Sequence, residues 1–335
     1  MALETFIGID VSKETLDVAC YREQKKTIIN KFKNDKSGFR KIIEWLKSQT
    51  NSSPDQWLIC FEHTGIYGWP LSCFLSEKGM AYSIQPALQI KRSMGIQRGK
   101  NDQTDARMIA KYAYLYRKEI KLTKLPSNAL ISLKNLLSYR ERLVKSKVST
   151  QTATKELAAH TASDLHGFIA KDSAQIIKTL ISSIRQVDKQ IERVIRQDSQ
   201  LSNLLDLSTS VKGVGLQVAA NMLVYTEGFT KFDNWRKFSC YCGLAPFEYQ
   251  SGTSIRGKTR TSHLGNRKMK AMIGNGVASA IQWDPELSHY YNRKLKEGKS
   301  KMVVQTAIKN KIISRVFATV KRGTPFVPLF SFSKA

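Results

Sequence analysis

Two carboxylates stand three residues apart in a basic stretch of the chain, where residues 99–107 read Gly-Lys-Asn-Asp-Gln-Thr-Asp-Ala-Arg. If this segment is helical, Asp102 and Asp105 lie on one face. The basic residues that precede them are Lys91, Arg92, Arg98 and Lys100. Acids among bases are typical of a site where carboxylates bind a divalent metal ion and bases contact a phosphate backbone. A helix start explains them as well, with Asn101 or Asp102 as its cap and Asp105 near its positive end. Taken alone, the stretch favours the cap.

Two further acids end apolar runs that have the character of buried strands. Asp10 ends residues 5–10, and Glu62 ends residues 57–62. Open α/β sheets bind their ligands at the carboxyl ends of strands. Individually, Asp10 could cap a turn and Glu62 could form a surface salt bridge. With Asp102 and Asp105 they make a set of four carboxylates suited to two Mg²⁺ ions that also bind phosphate oxygens. Four such acids in one basic domain favour the metal site.

The pattern of apolar residues predicts the elements that must position these acids. Alternating or clustered apolar residues predict strands at 5–10, 16–21, 27–32, 57–62 and 81–84, and helical spacing predicts helices at 37–48, 69–78 and 106–117. The first three strands are expected to form an antiparallel meander. The order βββαβαβα predicts an α/β domain with a mixed sheet covered by helices.

The middle of the chain has a helical pattern, because glycine and proline nearly vanish between about residue 127 and about residue 210. An apolar seam with alternating spacings of three and four residues consists of Ile177, Leu180, Ile184, Val187, Ile191 and Val194. Gly167 is expected to separate this helix from an earlier, less regular one. The two helices either pack as an antiparallel hairpin or associate with another chain, and the seam is compatible with both.

The turn that follows has the form of the hairpin in a helix-hairpin-helix element. Its central residues are Lys212, Gly213 and Gly215, and an apolar helical run comes after them. Glycines at such a turn let backbone amides at the start of the second helix approach a DNA phosphate closely. A turn of this kind before an apolar helix is common, so the basic context carries the prediction of phosphate contact.

A hydroxyl stands close to a concentrated basic segment. Ser251 precedes Gly252, a pair that suits an exposed nucleophile but is more often an ordinary turn. The segment from 256 to 270 contains no acid, and its basic residues are Arg256, Lys258, Arg260, Arg267, Lys268 and Lys270. This distribution predicts contact with nucleic acid.

The overall charge points to a polyanionic partner. The 335 residues carry a formal net charge of +27, spread along the chain rather than gathered beside an apolar anchor, so nucleic acid is favoured over a membrane surface. The five cysteines are scattered without the paired spacing of a zinc site, and Cys20 and Cys60 are expected to be buried thiols. Without a signal sequence or a membrane-spanning run, we expect a cytoplasmic protein that associates with the nucleoid when it acts.

Taken together, these motifs closely resemble the DEDD transposases of the insertion-sequence family numbered one-ten, including its eleven-eleven subgroup, and the related pilin-gene invertases. The resemblance covers essentially the whole chain, and its order is more specific than any one motif. The matching segments are residues 7–13 (Ile-Gly-Ile-Asp-Val-Ser-Lys), 62–65 (Glu-His-Thr-Gly), 100–106 (Lys-Asn-Asp-Gln-Thr-Asp-Ala), 213–215 (Gly-Val-Gly), 243–246 (Gly-Leu-Ala-Pro) and 251–252 (Ser-Gly).

The resemblance implies an α/β RuvC-like (RNase H fold) N-terminal domain and a mainly α C-terminal transposase domain. With the predicted seam and helix-hairpin-helix, the chain is expected to have three parts: the RuvC-like domain over residues 1–125, a long helical coiled-coil segment over 126–206, and the transposase domain with the helix-hairpin-helix over 207–335. The resemblance also implies that Asp10, Glu62, Asp102 and Asp105 bind Mg²⁺. Ser251 matches the serine that forms a covalent phosphoserine link with DNA, and the neighbouring Thr253 and Ser254 are alternative positions for that nucleophile.

The same resemblance implies the partners. These are donor and target DNA, a structured noncoding guide RNA, and further copies of the chain, in dimers that assemble to a tetramer with composite active sites. The expected function is an RNA-guided DNA recombinase. Two alternatives remain: a Mg²⁺-dependent nuclease or junction resolvase that uses water, which would need the four acids but not Ser251, and a non-catalytic nucleic-acid-binding protein.

Overall fold

The computed structural model describes residues 3–23, 25–95, 101–157, 160, 163–251, 255–262 and 264–328. At residues 163, 249, 251, 255, 256, 258 and 260 it describes the backbone alone. The chain forms two compact units, Met1–Leu125 and Pro126–Ala335. Within the described part, every helix is too short or too polar to span a lipid bilayer.

The first unit is built on a mixed five-stranded sheet with the order β3-β2-β1-β4-β5. Its strands are β1 (Thr5–Val11), β2 (Thr15–Tyr21), β3 (Ile28–Lys33), β4 (Trp57–Glu62) and β5 (Tyr82–Gln85). The first three strands pair antiparallel, whereas β4 lies parallel to both β1 and β5. The predicted meander and mixed sheet are therefore confirmed.

Four helices accompany this sheet: α1 (Lys36–Gln49), α2 (Trp69–Glu77), α3 (Ala87–Ser93) and α4 (Asp102–Leu115). The α1 helix begins after Asp35, whose carboxylate accepts a hydrogen bond from the Gly38 amide at 2.7 Å. Apolar residues at helical spacing then pack α1 and α2 onto one face of the sheet, against β1 residues such as Ile7 and Ile9. Burial of this face raises the hydrophobic contribution to stability by about 25 cal/mol per Å² of apolar surface.

The opposite face of the sheet is covered by α4. Because side chains alternate along a strand, the β1 residues that do not face α1 and α2 face α4. Gly8 lies there, and a side chain at this position would overlap the Ala110 amide nitrogen and the Ala106 carbonyl oxygen. Ala19 on β2, the register partner of Gly8, packs with the same two alanines. Small residues thus let the α4 backbone lie directly on the sheet.

Buried thiols occur in this unit as predicted. Cys20 and Cys60 are both buried and free. Burial raises the pKa of Cys20 to about 11 and that of Cys60 to about 12, so both remain protonated at neutral pH.

The second unit is mostly helical. Its helices are α5 (Asn128–Leu157), α6 (Ser163–Gln197), α7 (Ser199–Thr209), α8 (Leu216–Tyr225), α9 (Trp235–Tyr241), α10 (Arg267–Trp283), α11 (Pro285–Lys296) and α12 (Lys301–Arg322). A two-stranded antiparallel hairpin, β6 (Pro246–Ser251) and β7 (Ile255–Thr261), interrupts them. One apolar core joins residues from Leu130 on α5 to Val316 on α12.

The two long helices pack against each other in opposite directions. Arg140 on α5 forms an ion pair with Asp188 on α6, and Leu130 lies in the same core as Ile195. The predicted seam is buried at Ile184, Val187 and Ile191, so this half of it closes within the chain. Gly167 was expected to interrupt the helix, but α6 begins at Ser163 and continues through it. Glycine costs only about 1 kcal/mol inside a helix, which the surrounding residues outweigh.

Replacing Gly8 with alanine tests the contact between β1 and α4. The added methyl group must push the α4 backbone away from the sheet, because no flexible side chain is available to yield. We expect Gly8→Ala to lower the free energy of unfolding by about 3 kcal/mol, the upper end of overpacking costs. Urea unfolding of the full chain, followed by far-ultraviolet circular dichroism, measures this change.

Gly167→Ala is the matched control. Gly167 is exposed within α6 and a side chain there meets no neighbouring atom, so this change should raise stability by up to about 1 kcal/mol. Equal stability of Gly8→Ala and the unaltered chain would show that α4 does not depend on the bare surface at Gly8.

Candidate active site

Asp10 and Glu62 lie side by side at one edge of the sheet. Since β1 and β4 are parallel with Ile9 opposite Phe61, the next residues on each strand, Asp10 and Glu62, stand at the same level. Asp10 shares its face with Gly8, and Glu62 shares its face with Cys60, which packs in the same cluster as Ile109 of α4. Both acids are half-buried, and both therefore belong to the face that α4 covers.

Asp102 and Asp105 lie in the first turn of α4. The helix begins at Asp102, and its cap is Asn101, whose side-chain oxygen accepts a hydrogen bond from the Gln103 amide at 3.1 Å. The capping alternative is thereby assigned to Asn101, and neither aspartate is needed for it. Asp102 is exposed and Asp105 is half-buried. The positive end of the helix dipole favours acids at this position but does not require them.

The electrostatics of Asp10 show that the four acids converge. Burial raises its pKa from 3.8 to about 6, and the negative charges of Asp102, Asp105 and Glu62 add to the increase. A carboxylate feels such neighbours only over short distances, so the start of α4 lies at the carboxyl end of β1. The structure therefore brings together all four predicted acids.

Asp17 is a fifth acid in this neighbourhood, and the sequence reasoning missed it. It lies opposite Asp10 in the β1–β2 register and is 2% exposed. Its carboxylate pairs with the Lys31 ammonium at 3.3 Å, and its charge contributes to the raised pKa of Asp10. The sequence does contain a signal for Asp17: it is a charged residue within the apolar run 16–21, and a strand formed by this run would bury it.

The four acids lie in one neighbourhood, but their side chains do not surround a single metal position. Among the described residues, no three His, Cys, Asp or Glu side chains are close enough together to hold one metal ion. The chemistry of the donors nevertheless fits a hard divalent cation, because carboxylate oxygens are its preferred ligands. Burial raises the pKa of Asp10, and the negative charges of the neighbouring carboxylates add to the increase. A cation would relieve that repulsion.

Predicted basic residues near the acids are placed only in part. Lys91 and Arg92 are exposed on α3, which directly follows β5. Arg98 and Lys100 lie outside the described residues. The structure therefore places basic side chains on the element that follows β5, the strand paired with β4 and its Glu62.

The segment predicted to form the hairpin connects α7 to α8. Lys212 is exposed, and Gly215 caps α8 with open space around it. Gly213 has φ of +88°, and a side chain there would meet the Gly276 carbonyl of α10. Gly213 thus serves packing within the unit, whereas Lys212 and Gly215 remain accessible from outside it.

Ser251 is the last residue of β6, paired in register with Ile255 of β7. The alternatives Thr253 and Ser254 lie outside the described residues, as do the side chains of Ser251, Arg256, Lys258 and Arg260. The structure places the predicted nucleophile at the tip of the β6–β7 hairpin, and the three basic residues lie on the strand that returns from it.

The remaining basic residues of the segment lie on α10. Arg267 is exposed. Lys268 forms an ion pair with Glu141 of α5 at 2.7 Å and lowers the pKa of that carboxyl group. The Lys270 ammonium donates a hydrogen bond to the Gly243 carbonyl oxygen at 3.0 Å. Two of the three lysines and arginines predicted on this helix therefore make contacts within the unit.

Comparison with known proteins identifies relatives over the whole length. The "Pilin gene-inverting protein" of Moraxella bovis is 27% identical over 327 residues, which are 96% of this chain and 98% of that protein. The protein of the same name from Moraxella lacunata gives the same values. The "Insertion element IS110 uncharacterized 43.6 kDa protein" of Streptomyces coelicolor is 32% identical over 152 residues, 44% of this chain and 37% of that protein. A RuvC structure from Thermus thermophilus covers 36% of this chain and 99% of its own at 13% identity and a TM-score of 0.26, a likeness too weak to assign the fold.

Two family models match in order along the chain. The model described as "Transposase", of the DEDD type of IS110, matches residues 7–162 and so includes all four acids. The model described as "Transposase IS116/IS110/IS902 family" matches residues 206–292, which include Ser251 and the basic segment. Two models that share the IS110 family, together with relatives of matching length, lead to one assignment. The chain belongs to the IS110 family of transposases and is a DNA recombinase/transposase.

Proposed function

We propose that this transposase cuts and rejoins DNA strands with Mg²⁺ held by Asp10, Glu62, Asp102 and Asp105 and with Ser251 as its nucleophile. The observation that carries the proposal is the placement of the four carboxylates: Asp10 and Glu62 stand at the same level on neighbouring parallel strands, and Asp102 and Asp105 lie in the first turn of the helix that covers that face. The raised pKa of Asp10 agrees with this placement. Perturbed groups of this kind cluster at functional sites. The structural need for these acids is small, because Asn101 caps α4 without them.

The acids would act together on a single phosphate. Bound Mg²⁺ would polarise the scissile phosphodiester and stabilise the negative charge on the leaving oxygen. Asp10 and Glu62 are held by strands, while Asp102 and Asp105 are held by the first turn of a helix that lies on the sheet. Rigid elements on both sides fix the ligands in place, which favours a preorganised site.

A covalent intermediate accounts for rejoining. The Ser251 hydroxyl oxygen would form a bond to phosphorus as the bond from phosphorus to the departing sugar oxygen breaks. In the overall balance the serine proton ends on that oxygen, which becomes a sugar hydroxyl. The phosphodiester energy is then retained in the phosphoserine link, so the reverse attack by a sugar hydroxyl rejoins a strand without another energy source. The place of Ser251 at the tip of a hairpin, followed by a basic strand, supports this role.

The proposed partners are donor and target DNA and a structured noncoding guide RNA. The net charge of +27 supports binding of more than one polyanion. Exposed basic residues occur in both units, for example Arg92 in the first and Lys212 in the second. We further propose that the protein acts in the cytoplasm, at the nucleoid.

Self-association is part of the same proposal, as dimers that assemble to a tetramer. The α6 helix exposes a stripe of apolar residues beside the seam that packs on α5. Its members are Leu165 at 54% exposure, Phe168 at 71% and Ile176 at 46%. Their spacing of three and eight residues keeps them near one side of the helix, and an apolar stripe of this kind suits the same stripe of a second copy.

Charge removal at the acids tests the metal site. We expect Asp102→Asn and Asp105→Asn each to lower Mg²⁺-dependent cleavage of labelled DNA at least about a hundredfold, because metal stabilisation contributes several kcal/mol and each 1.4 kcal/mol is tenfold in rate. RNA binding should stay within about twofold in both variants. Gel analysis of the cleaved strand and filter binding of the RNA measure the two quantities.

Asn101→Ala is the control, since it removes the cap of the same helix turn. It should cost about 1 kcal/mol of stability and leave cleavage largely intact. If Asn101→Ala reduced cleavage as strongly as Asp102→Asn, the effect of the aspartates would be one of folding rather than of metal binding.

Loss of a covalent adduct tests the nucleophile and separates the alternatives. Purified protein incubated with RNA, labelled DNA and Mg²⁺ should yield a protein–DNA adduct that resists denaturation, and Ser251→Ala should abolish it. Thr253→Ala and Ser254→Ala serve as neighbouring controls and should retain the adduct. Free cleaved ends that persist in Ser251→Ala would favour a nuclease that uses water, and binding without cleavage by the unaltered protein would favour a non-catalytic nucleic-acid-binding protein.

Charge placed on the exposed stripe tests self-association. A deletion of the predicted seam, residues 177–194, is a poor test of self-association, because it would also remove the buried residues Ile184, Val187 and Ile191 and so disturb folding. Point substitutions on the exposed stripe avoid this problem. We expect Phe168→Glu with Ile176→Glu to reduce the mass measured by light scattering, while Gln175→Glu, an added charge at an exposed polar position of α6, leaves it unchanged. An unchanged mass in the double variant would exclude this stripe from the interface.

A further inference from the structure

Lys309 lies over a bare patch of α10 in the neighbourhood of Lys270. Lys270 and Gly274 lie one helical turn apart on that helix, and Lys309 reaches the patch from α12. The Lys309 ammonium nitrogen lies 3.2 Å from the point where a side chain of residue 274 would begin, and its Cε atom lies 3.3 Å from it. The missing side chain at Gly274 therefore makes room for a lysine that is only partly exposed to solvent.

Lys309 has no counter-charge among the described residues. No described carboxylate or other acceptor pairs with it, and its pKa is lowered, first by burial and then by the positive charge of Lys270. Placing two cations together away from full solvation costs free energy, so a pair without an acid needs an explanation.

Other partly buried cations of this unit are treated differently. Lys268 pairs with Glu141 at 2.7 Å, and Lys294 pairs with Glu297 at 2.6 Å. Arg315 pairs with both Asp284 and Glu286 at 2.6 Å. Lys311, two residues after Lys309, has its ammonium 4.7 Å from the centre of the Tyr290 ring. Against this background, the pair of Lys270 and Lys309 stands out as positive charge held in place and left uncompensated.

The same two helices hold the turn that leads into β6. Lys270 donates to the Gly243 carbonyl oxygen at 3.0 Å, and the Asn310 amide nitrogen lies 3.3 Å from the Leu244 carbonyl oxygen. The β6 strand begins two residues later and ends at Ser251. Lys270 uses one of its three N–H donors in this contact, and Lys309 uses none on the described residues, so both retain donors for an anion.

We propose that Lys309, together with Lys270, binds a backbone phosphate of the DNA strand on which the β6–β7 hairpin acts. The chemistry recognised is that of a phosphodiester, a single negative charge with two acceptor oxygens. This inference rests on the proposed function for the choice of DNA, because the hairpin carries the proposed nucleophile. Lys309 is a positioning residue in this account: it fixes the strand relative to a turn that Lys270 also holds.

The salt dependence of binding tests this site without requiring cleavage. Full-length protein is titrated with a labelled DNA duplex and, separately, with a single-stranded RNA over a range of salt concentrations. Loss of one phosphate contact lowers the slope of log affinity against log salt by about 0.9 for duplex DNA and about 0.7 for a single strand. We expect Lys309→Met to lower the DNA slope by about 0.9 and to leave the RNA slope unchanged.

Two further variants make the result specific. Lys309→Arg keeps the positive charge and should therefore keep the slope of log affinity against log salt. An unchanged slope in this variant would also show that the packing between α10 and α12 tolerates a substitution at position 309. Lys311→Met removes the same net charge from the same helix, but at a lysine already engaged by Tyr290, and should leave the slope unaltered. If Lys309→Met and Lys311→Met lowered the slope equally, the loss of net charge would explain the result, and the proposed phosphate site would be overturned.

The remaining outcomes separate this inference from the proposed function. An unchanged DNA slope in Lys309→Met, with circular dichroism showing a folded protein, overturns the phosphate site even if the Ser251 adduct forms normally. If Lys309→Met lowers the slope of log affinity against log salt for RNA but not for DNA, the assignment of the phosphate to DNA is overturned. Conversely, Lys309→Met could lower the DNA slope as expected while the unaltered protein forms no covalent adduct. That result would retain the phosphate site and refute the phosphoserine mechanism.

Discussion

The first unit depends on the contact between β1 and α4, in which neither element places a large side chain. Gly8 and Ala19 on the sheet meet Ala106 and Ala110 on the helix, so the α4 backbone lies directly on the strands. This close approach fixes where α4 begins, and the beginning of α4 carries Asp102 and Asp105. A larger residue at position 8 would move those carboxylates away from Asp10. The packing of small residues in the core is thus the cause of the electrostatics at the edge.

The sites that we infer in the two units follow one physical rule with opposite signs. In the first unit, burial and, after it, the like charges of neighbouring carboxylates raise the pKa of Asp10 to about 6. In the second, burial and, after it, the positive charge of Lys270 lower the pKa of Lys309. Each arrangement costs stability in the protein alone, and each is relieved by a ligand of opposite charge. A divalent cation would relieve the repulsion among the acids, and a phosphate would relieve the repulsion between the lysines.

Much of this arrangement could be predicted from the sequence, because strand ends and helix starts have local signals. The apolar runs that end at Asp10 and Glu62 predicted two strands and the acids at their ends. The helical spacing of the seam correctly predicted that Ile184 and Ile191 are buried. Features that depend on distant contacts could not be predicted. Whether Asn101 or Asp102 caps α4, and whether Gly167 ends a helix, depends on packing that a local pattern does not contain. Helix α11 was missed, since its charged sequence buries only Leu287 fully. The role of Ser251 came from family resemblance rather than from spacing, whereas the Mg²⁺ site was also indicated by the positions of the four acids.

The basic residues show why composition alone overstates a nucleic-acid surface. Lys268 is neutralised by Glu141 and Gly213 packs on α10, although both lie in segments that the sequence assigned to phosphate contact. A positive charge that already has an acid partner gains little from a phosphate, because it must give up one interaction to make the other. A charge held without a partner gives up no ion pair when it binds a phosphate, and burial has already removed part of its hydration. Contacts within the fold therefore select which of the many cations can contribute to affinity, and by this criterion Lys309 outranks Lys268, despite lying on a helix whose pattern is that of a core element.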